Sequence, residues 1–383
     1  MTLVPPIHIV GGGLAGLTLA RCLRNRGIRG IIFEKNPSPA KHNYGITLQP
    51  RTCQALLKVL GTDERSFRGK VAVDSLNSGS GLVSSDRSNS VSEGFSLPFR
   101  AHCGRLEAAL RDDLKIQWSH VLENVSRSGD ECILEFKDEK TVDARLMIDT
   151  SGVHSRVKKA LLPKLNLDVL SYVVFRGTRR IDGRTFKELY QSKFQGGTTI
   201  DLRKDDVLLQ IWINDYQGDS ESVDISYVYS RPTRENDSLH RPGRAPGESS
   251  DISESFFEEL TQLSELEQPF RDAFDGEKLK KDRILHWLMR SCLAPLDELI
   301  QFSRIGVVFL GDSAHTMPIL GGEGANFAIQ DAVELAEYIA EKGIEGVEDF
   351  YRKRYGEWEN EVKGSKERLH EMHEMHSTTR SVL

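Results

Sequence analysis

The sequence predicts an α/β fold, a Rossmann-like parallel sheet interleaved with a second, mostly antiparallel β-sheet unit, and three observations predict it. Residues 7–34 run strand, glycine turn, helix, strand. From about 170 to 230, "SYVVFRGTRRI", "DDVLLQIWIND" and "SVDISYVYSRP" carry β-branched and aromatic residues without helical spacing. The α/β style then returns with the apolar run "IGVVFLGD" and the periodic segment "NFAIQDAVELAEYIAEKG".

The elements follow in order. "IHIV" is the first strand, "GGGLAG" the turn, "LTLARCLRNRG" a helix closing on Gly27, and "GIIFEK" the second strand. "YGITLQPRTCQALLKVLG" reads as a short extended piece and a helix. Residues 71–97, rich in Ser, Gly and Asn, read as edge strands and loops. "CGRLEAALRDDL" is a helix, "CILEFKDEKTVDARLMIDTSG" a hairpin leading into a strand, and "HSRVKKALL" a short helix. Residues 231–255 are polar and Pro/Gly-rich, the pattern of a mobile surface loop, and a helix is predicted near 252–274. Residues 1–72, 95–170 and 283–345 are assigned to the nucleotide unit, 73–94 and 171–282 to the substrate unit, and 346–383 to a charged helical tail.

At 383 residues, 38% hydrophobic and 28% charged, the chain is long enough for a sizeable core. A net charge of −6 gives no long-range attraction for nucleic acid. The five cysteines are scattered without a C-x-x-C pair, which argues against a disulfide framework or zinc site and fits a reducing compartment. No apolar run approaches the ~18 residues of a membrane span, and the start lacks a charged segment followed by an apolar one. A cytoplasmic protein without a membrane span is expected, as monomer or homodimer.

Gly11-x-Gly13-x-x-Gly16 sits between strand and helix, and Glu34 ends the second strand. Glycines let the backbone approach a pyrophosphate at the helix N-terminus, and the acid accepts from an adenosine ribose. The bland alternative is a tight turn with a surface glutamate. No second fingerprint of this kind is present. Gly311-Asp312, at the end of a later strand, adds an acid placed for the ribityl hydroxyls of FAD, with the "GGEGAN" loop starting a helix beside the flavin ring.

These motifs, in their order and spacing over nearly the whole chain, resemble the single-component FAD-dependent monooxygenases of the p-hydroxybenzoate hydroxylase type. They are "IVGGGLAGLTLARCLRNRGI…FEK", "YGITLQP", "FRAHCGRLEAALR", "GVHSRVKKAL" and "VVFLGDSAHTMPILGGEGANFAIQDAVELAE". "HNYGITL" and "SRPTREND…HRPGR" look like the family's fungal secondary-metabolism branch. The resemblance implies FAD, NADPH or NADH as electron donor, O2, and a small electron-rich aromatic or heteroaromatic substrate that is hydroxylated or epoxidised. It implies cofactor contacts from Gly11, Gly13, Gly16, Glu34, Lys35, Gly45, Asp312, Gly324, Ala325 and Asn326.

Two positions depart from the family pattern. The strand-end Asp-Gly before "HSR" stands as Ser151-Gly152, with Asp149 two residues early; a neutral serine there predicts slow hydride delivery that Ser151→Asp would speed. The flavin-touching arginine before Leu106 is Cys103, and Arg100 and Arg105 are the candidates to replace it. An FAD oxidase or dehydrogenase, or a non-oxygenating cyclase-like member, therefore stays open. For catalysis, Arg176 in "VVFRGTRR" is placed to hold a phenolate or carboxylate, its alternative being a solvated strand arginine. Tyr216 and Trp212 are further candidates, with packing as their alternative. His315 reads as a proton relay or as part of the flavin loop. His370, His373 and His376 read as a solvated helical face rather than a metal site, and no metal is expected.

Overall fold

The structure, a computed structural model, describes residues 5–84, 97–128, 131–216, 222–245, 247–263 and 265–374. Five parallel strands form the nucleotide-binding sheet, in the spatial order Val307–Phe309, Met147–Asp149, Ile7–Val10, Gly30–Phe33, Ile116–Gln117. Their runs are apolar because helices cover the sheet, as continuous hydrophobic strands require. The helix Leu14–Asn25 packs against the later helix Gly324–Lys342, and Leu17, Leu19, Leu23, Ile329 and Leu335 are buried in one core. The turn between the first strand and its helix demands glycine twice. Gly11 has φ +111°, and a Cβ on Gly16 would stand 2.1 Å from the Gly11 carbonyl oxygen.

A second five-stranded sheet is antiparallel, ordered Thr199–Lys204, Val207–Tyr216, Ser222–Pro232, Tyr172–Asp182, Arg283–Trp287. Side chains alternate across it. One face buries Phe175, Ile213, Ile225 and Tyr227 in a separate core under short helices, and the other carries Arg176, Trp212 and Ser226 toward the nucleotide unit. A meander of Leu122–Ser128, Glu131–Phe136 and Thr141–Ala144 flanks the parallel sheet.

Several expectations need correction. In 71–97 the described residues contribute isolated bridges, Ala72 to Ala101 and Leu82 to Phe99, and 85–96 lie outside the described residues. The helix expected near 252–274 is two, Glu254–Thr261 and Phe270–Ala273, and Pro269 stands at the start of the second, where its ring is tolerated as it is not in a helix interior. The polar segment after 231 is pinned. Arg231, 2% exposed, donates to Asp237 at 2.5 Å and to Glu259 at 2.6 and 2.9 Å, and Leu239 is buried. The strands Thr199–Lys204 and Arg283–Trp287 escape a sequence reading because their charged residues mask the alternation.

The charged segment after 346 is one helix, Gly346–Glu371, and it packs against the rest of the molecule. Trp358, Arg354, Tyr351 and Leu369 on it are fully buried. His373 is also buried, with Nε2 2.9 Å from Ser230 Oγ and Nδ1 2.8 Å from the Leu369 carbonyl, so the solvated reading fails for this residue. His370 is exposed beside Glu374, and His376 lies outside the described residues.

Candidate active site

The carboxyl ends of the parallel strands open into a cavity of about 580 Å³. Gly11, Gly13, Glu34, Lys35, Asp312, Gly324 and Ala325 all line it, though they come from opposite ends of the chain. Open sheets bind ligands at such strand ends because the loops there are free to carry polar groups. Glu34 is buried and already oriented, accepting from the Gly12 N–H at 2.7 Å and the Asn36 N–H at 3.0 Å. Asp312 follows the strand Val307–Phe309, and no hydrogen bond to its carboxylate is found among the described residues. Burial raises its pKa, against the opposing charges of His315 and Lys158. Lys158 donates from Nζ to the Asp312 carbonyl at 3.1 Å, fixing the loop from behind.

The loop that follows Asp312 is braced by a buried polar cluster. His315 Nε2 stands 2.6 Å from Asp331 Oδ2, while Asp331 Oδ1 accepts from Arg354 at 2.7 and 2.9 Å and from Trp358 Nε1 at 2.9 Å. Burial alone would raise Asp331, but His315 and Arg354 hold it below the usual carboxylate range. His315 is thus directed away from the cavity toward the C-terminal helix, a bracing role.

Ser151 is engaged rather than vacant. Its Oγ donates to Asp149 Oδ1 at 2.5 Å and its N–H to the same oxygen at 3.0 Å, with Ser155 Oγ on Oδ2 at 2.5 Å. Burial raises the Asp149 pKa despite these donors. An aspartate at 151 would face that carboxyl, so the geometry gives no reason for Ser151→Asp to help. Cys103 lines the cavity beside Glu107, whose pKa burial pushes up to about 7.

Other candidates lie elsewhere. Gly16 packs against the Gly11 turn beneath the cavity. Asn326 bonds Thr47 and Gln49, tying the helix start to the strand Gly45–Leu48. Arg105 pairs with Asp215 at 3.2 Å and donates to the Ala72 carbonyl. Arg100 is buried against Trp212 and donates to the Gly45 carbonyl at 2.9 Å; neither arginine nor Gly45 lines the large cavity. Arg176 lines a second cavity of about 370 Å³ with Asn214 and Asp224. Tyr216 packs on Phe186 on the far face of the antiparallel sheet, because a bulge between Ile213 and Asp215 reverses the alternation. A sequence reading missed His42, Tyr44, Thr150, His154 and Arg156, all lining the large cavity. "KHNYG" and "VHSR" carried the signal, since a histidine or arginine beside a strand-end glycine suits phosphate or ring contacts.

Residues 5–169 and 289–349 match the family model described as an FAD binding domain. The chain belongs to the FAD-dependent monooxygenases. It is 30% identical over 400 residues to the FAD-dependent monooxygenase aptC of Emericella nidulans, covering 96% of this chain and 95% of the relative. Against adaC of Aspergillus niger it is 29% identical over 394 residues, covering 97% and 94%. The fold is shared with the crystal structure of CtdE in complex with FAD and substrate 4, at TM-score 0.73 and 15% identity over 96% of this chain and 89% of that one. It is also shared with 2,6-dihydroxypyridine-3-hydroxylase from Arthrobacter nicotinovorans, at 0.72 and 19% over 96% and 92%.

The monooxygenase's own residues fit FAD. A Cβ added to Gly13 would meet nothing within 4 Å, leaving the backbone open to a ligand, and Asp312 carries an acceptor without a donor. Among the described residues no group of His, Cys, Asp or Glu is placed to hold a metal ion, and no helix is long and apolar enough to cross a membrane.

Proposed function

We propose that this monooxygenase uses NADPH or NADH and O2 to hydroxylate or epoxidise an electron-rich aromatic or heteroaromatic small molecule in a secondary-metabolite pathway, acting in the cytoplasm as monomer or homodimer. The observation that carries the reading is that His42 and Tyr44 line both cavities, so the FAD cradle and the polar face of the antiparallel sheet meet at one place. In this reading the nucleotide unit comprises 1–72, 95–170 and 283–345, and the substrate unit 73–94 and 171–282.

Gly11, Gly13, Glu34 and Lys35 hold the adenosine and pyrophosphate end, and Asp312 accepts from a ribityl hydroxyl. The N–H groups at the start of Gly324–Lys342 present the positive helix end to the ring, favouring negative charge there. Bound FAD supplies hydride acceptance and transfer of one oxygen atom. Leu320, buried with Val174 and Val228 of the antiparallel sheet, ties the segment before Gly324 to that sheet and keeps water from the ring site. Arg176 orients the substrate from the sheet.

Incubation with candidate aromatic metabolites, NADPH and 18O2 tests the reading by mass spectrometry. A product one labelled oxygen heavier is expected, together with substrate-stimulated NADPH oxidation. Stoichiometric peroxide without NADPH would assign an oxidase, and unchanged substrate mass a cyclase.

A further inference from the structure

One wall of the large cavity, formed by the helix Cys103–Arg111, presents an acid with almost no donor of its own. Glu107 is 5% exposed and lines the cavity together with Cys103, Glu34 and His42. Among the described residues the one hydrogen bond to its carboxyl comes from the Cys103 thiol at 3.9 Å, a weak donor. The basic groups nearest it stand beyond hydrogen-bond reach, His42 Nε2 at 3.7 Å and Arg111 Nη2 at 4.0 Å. Glu34, by contrast, already has two backbone donors. Other charged groups around this helix are engaged: Arg105 with Asp215 at 3.2 Å, Arg68 with Glu64 at 2.7 Å, and Arg21 with the Leu110 carbonyl at 3.2 Å.

A buried carboxylate is costly unless it is paired and hydrogen-bonded, and a second acid close by adds to the cost. Burial pushes the Glu107 pKa up to about 7 against the charge of Arg111, and the charge of Glu34 works in the same direction as burial. Cys103 supplies no positive charge, and burial pushes its thiol up to about 12. His42 and His154, the imidazoles of the cavity lining outside this helix, are both pushed down chiefly by burial, so they too are neutral above pH 7. An anion entering the cavity meets on this side a wall that favours it in one way, by carrying a proton on Glu107. FAD brings such an anion in its diphosphate, and negative charge beside an acid makes that acid hold its proton more tightly.

We propose that FAD binding takes up a proton at Glu107, whose protonated carboxyl donates to the cofactor's diphosphate, so that the enzyme holds its flavin less tightly as pH rises above neutrality. The inference rests on this cavity being the FAD site. Binding and protonation are reciprocal: whatever the bound diphosphate adds to the proton affinity of Glu107, the proton adds to the affinity for FAD. Asp312, also raised by burial, works in the opposite sense. A hydroxyl donating to it favours its ionised form, which releases a proton on binding. The sign of the proton exchange therefore tells the two carboxyls apart.

The test titrates FAD into the full-length chain freed of flavin, by calorimetry at pH 8 in two buffers of different ionisation enthalpy, with Kd read by fluorescence at pH 6, 7 and 8. Wild type is expected to take up about one proton at pH 8 and to bind FAD about fivefold more weakly there than at pH 7, with less than about a twofold change between pH 6 and 7. E107Q should lose both the uptake and the weakening, whereas H42N should keep both. Proton release or no exchange in wild type at pH 8 overturns the proposal, as does an uptake that survives E107Q or that vanishes in H42N. If E107Q fails to fold, the sign of the wild-type exchange decides, with H42N excluding the imidazole. FAD binding without proton uptake sinks this proposal and leaves the cavity as the flavin site; no FAD binding at any pH removes that reading and the proposal with it.

Discussion

Asp312 shows how much one side chain carries. Its carboxylate lines the cavity with no donor of its own, and a charge-assisted hydrogen bond is worth about 1.5–3 kcal/mol. Asp312→Ala should therefore weaken FAD binding about ten- to a hundredfold, read by fluorescence titration of the apoprotein; an unchanged Kd would mean that the acid does not contact the cofactor. Glu107 makes a pH prediction. Its folded pKa is raised to about 7 by burial, so the protein binds that proton more tightly than the unfolded chain does. Wild type thus loses stability relative to Glu107→Gln as pH climbs from about 4.3 through 7, by about 3 kcal/mol in all. Urea melts of the apoprotein at pH 5 and pH 8 check this, and a gap that does not widen with pH removes Glu107 as the titrating group. Ser151→Asp exchanges a donor to Asp149 for a second acid against it, so its melting temperature should fall further than that of Ser151→Ala. Equal melting of the two variants would deny the repulsion between Asp149 and the new carboxyl, and Ser151→Ala melting like wild type would deny Ser151 its donor role.

At the scale of elements, the C-terminal helix is the part that a local reading misjudged. Its polar residues face inward at Asp331, where Arg354, Trp358 and His315 converge on one carboxylate. Removing one member of a buried charged cluster typically costs about 3–5 kcal/mol. Asp331→Asn should lose stability on that scale at pH 7 by chemical denaturation. The pKa of Asp331 is depressed in the fold, so its contribution is complete above the unfolded value of about 3.9 and disappears as pH falls through the folded one. The deficit of Asp331→Asn should accordingly shrink below pH 4, and a deficit constant down to pH 2 would show that the charge is irrelevant. The antiparallel sheet taught a similar lesson, since the bulge at Asn214 sends Tyr216 to the far face and leaves Trp212 on the near one.

Across the whole molecule, one cavity joins segments that are remote in sequence: the first turn, Glu34, Asp312 and the start of Gly324–Lys342, the residues proposed to hold FAD. Ligand that binds only the folded state stabilises it by about 2.7 kcal/mol at a hundredfold excess over Kd. Added FAD should thus raise the melting temperature of wild type. Gly13→Leu, whose side chain would fill the open space above the turn, should melt like the wild-type apoprotein and gain nothing from FAD. A full FAD-dependent shift in that variant would reduce the loop to a simple turn.

The sequence by itself determined the parallel sheet, the glycine turn at its first strand and the seven residues that meet at the cavity. Glycines at a strand end and apolar runs are local signals, set by backbone sterics and by burial on both faces. Only the tertiary structure decided where Arg100, Arg105, Tyr216 and His373 face, and what holds Ser151. Those outcomes depend on a bulge, on packing between distant elements and on which carboxylates are already committed, and none of these is written in the spacing of neighbouring residues.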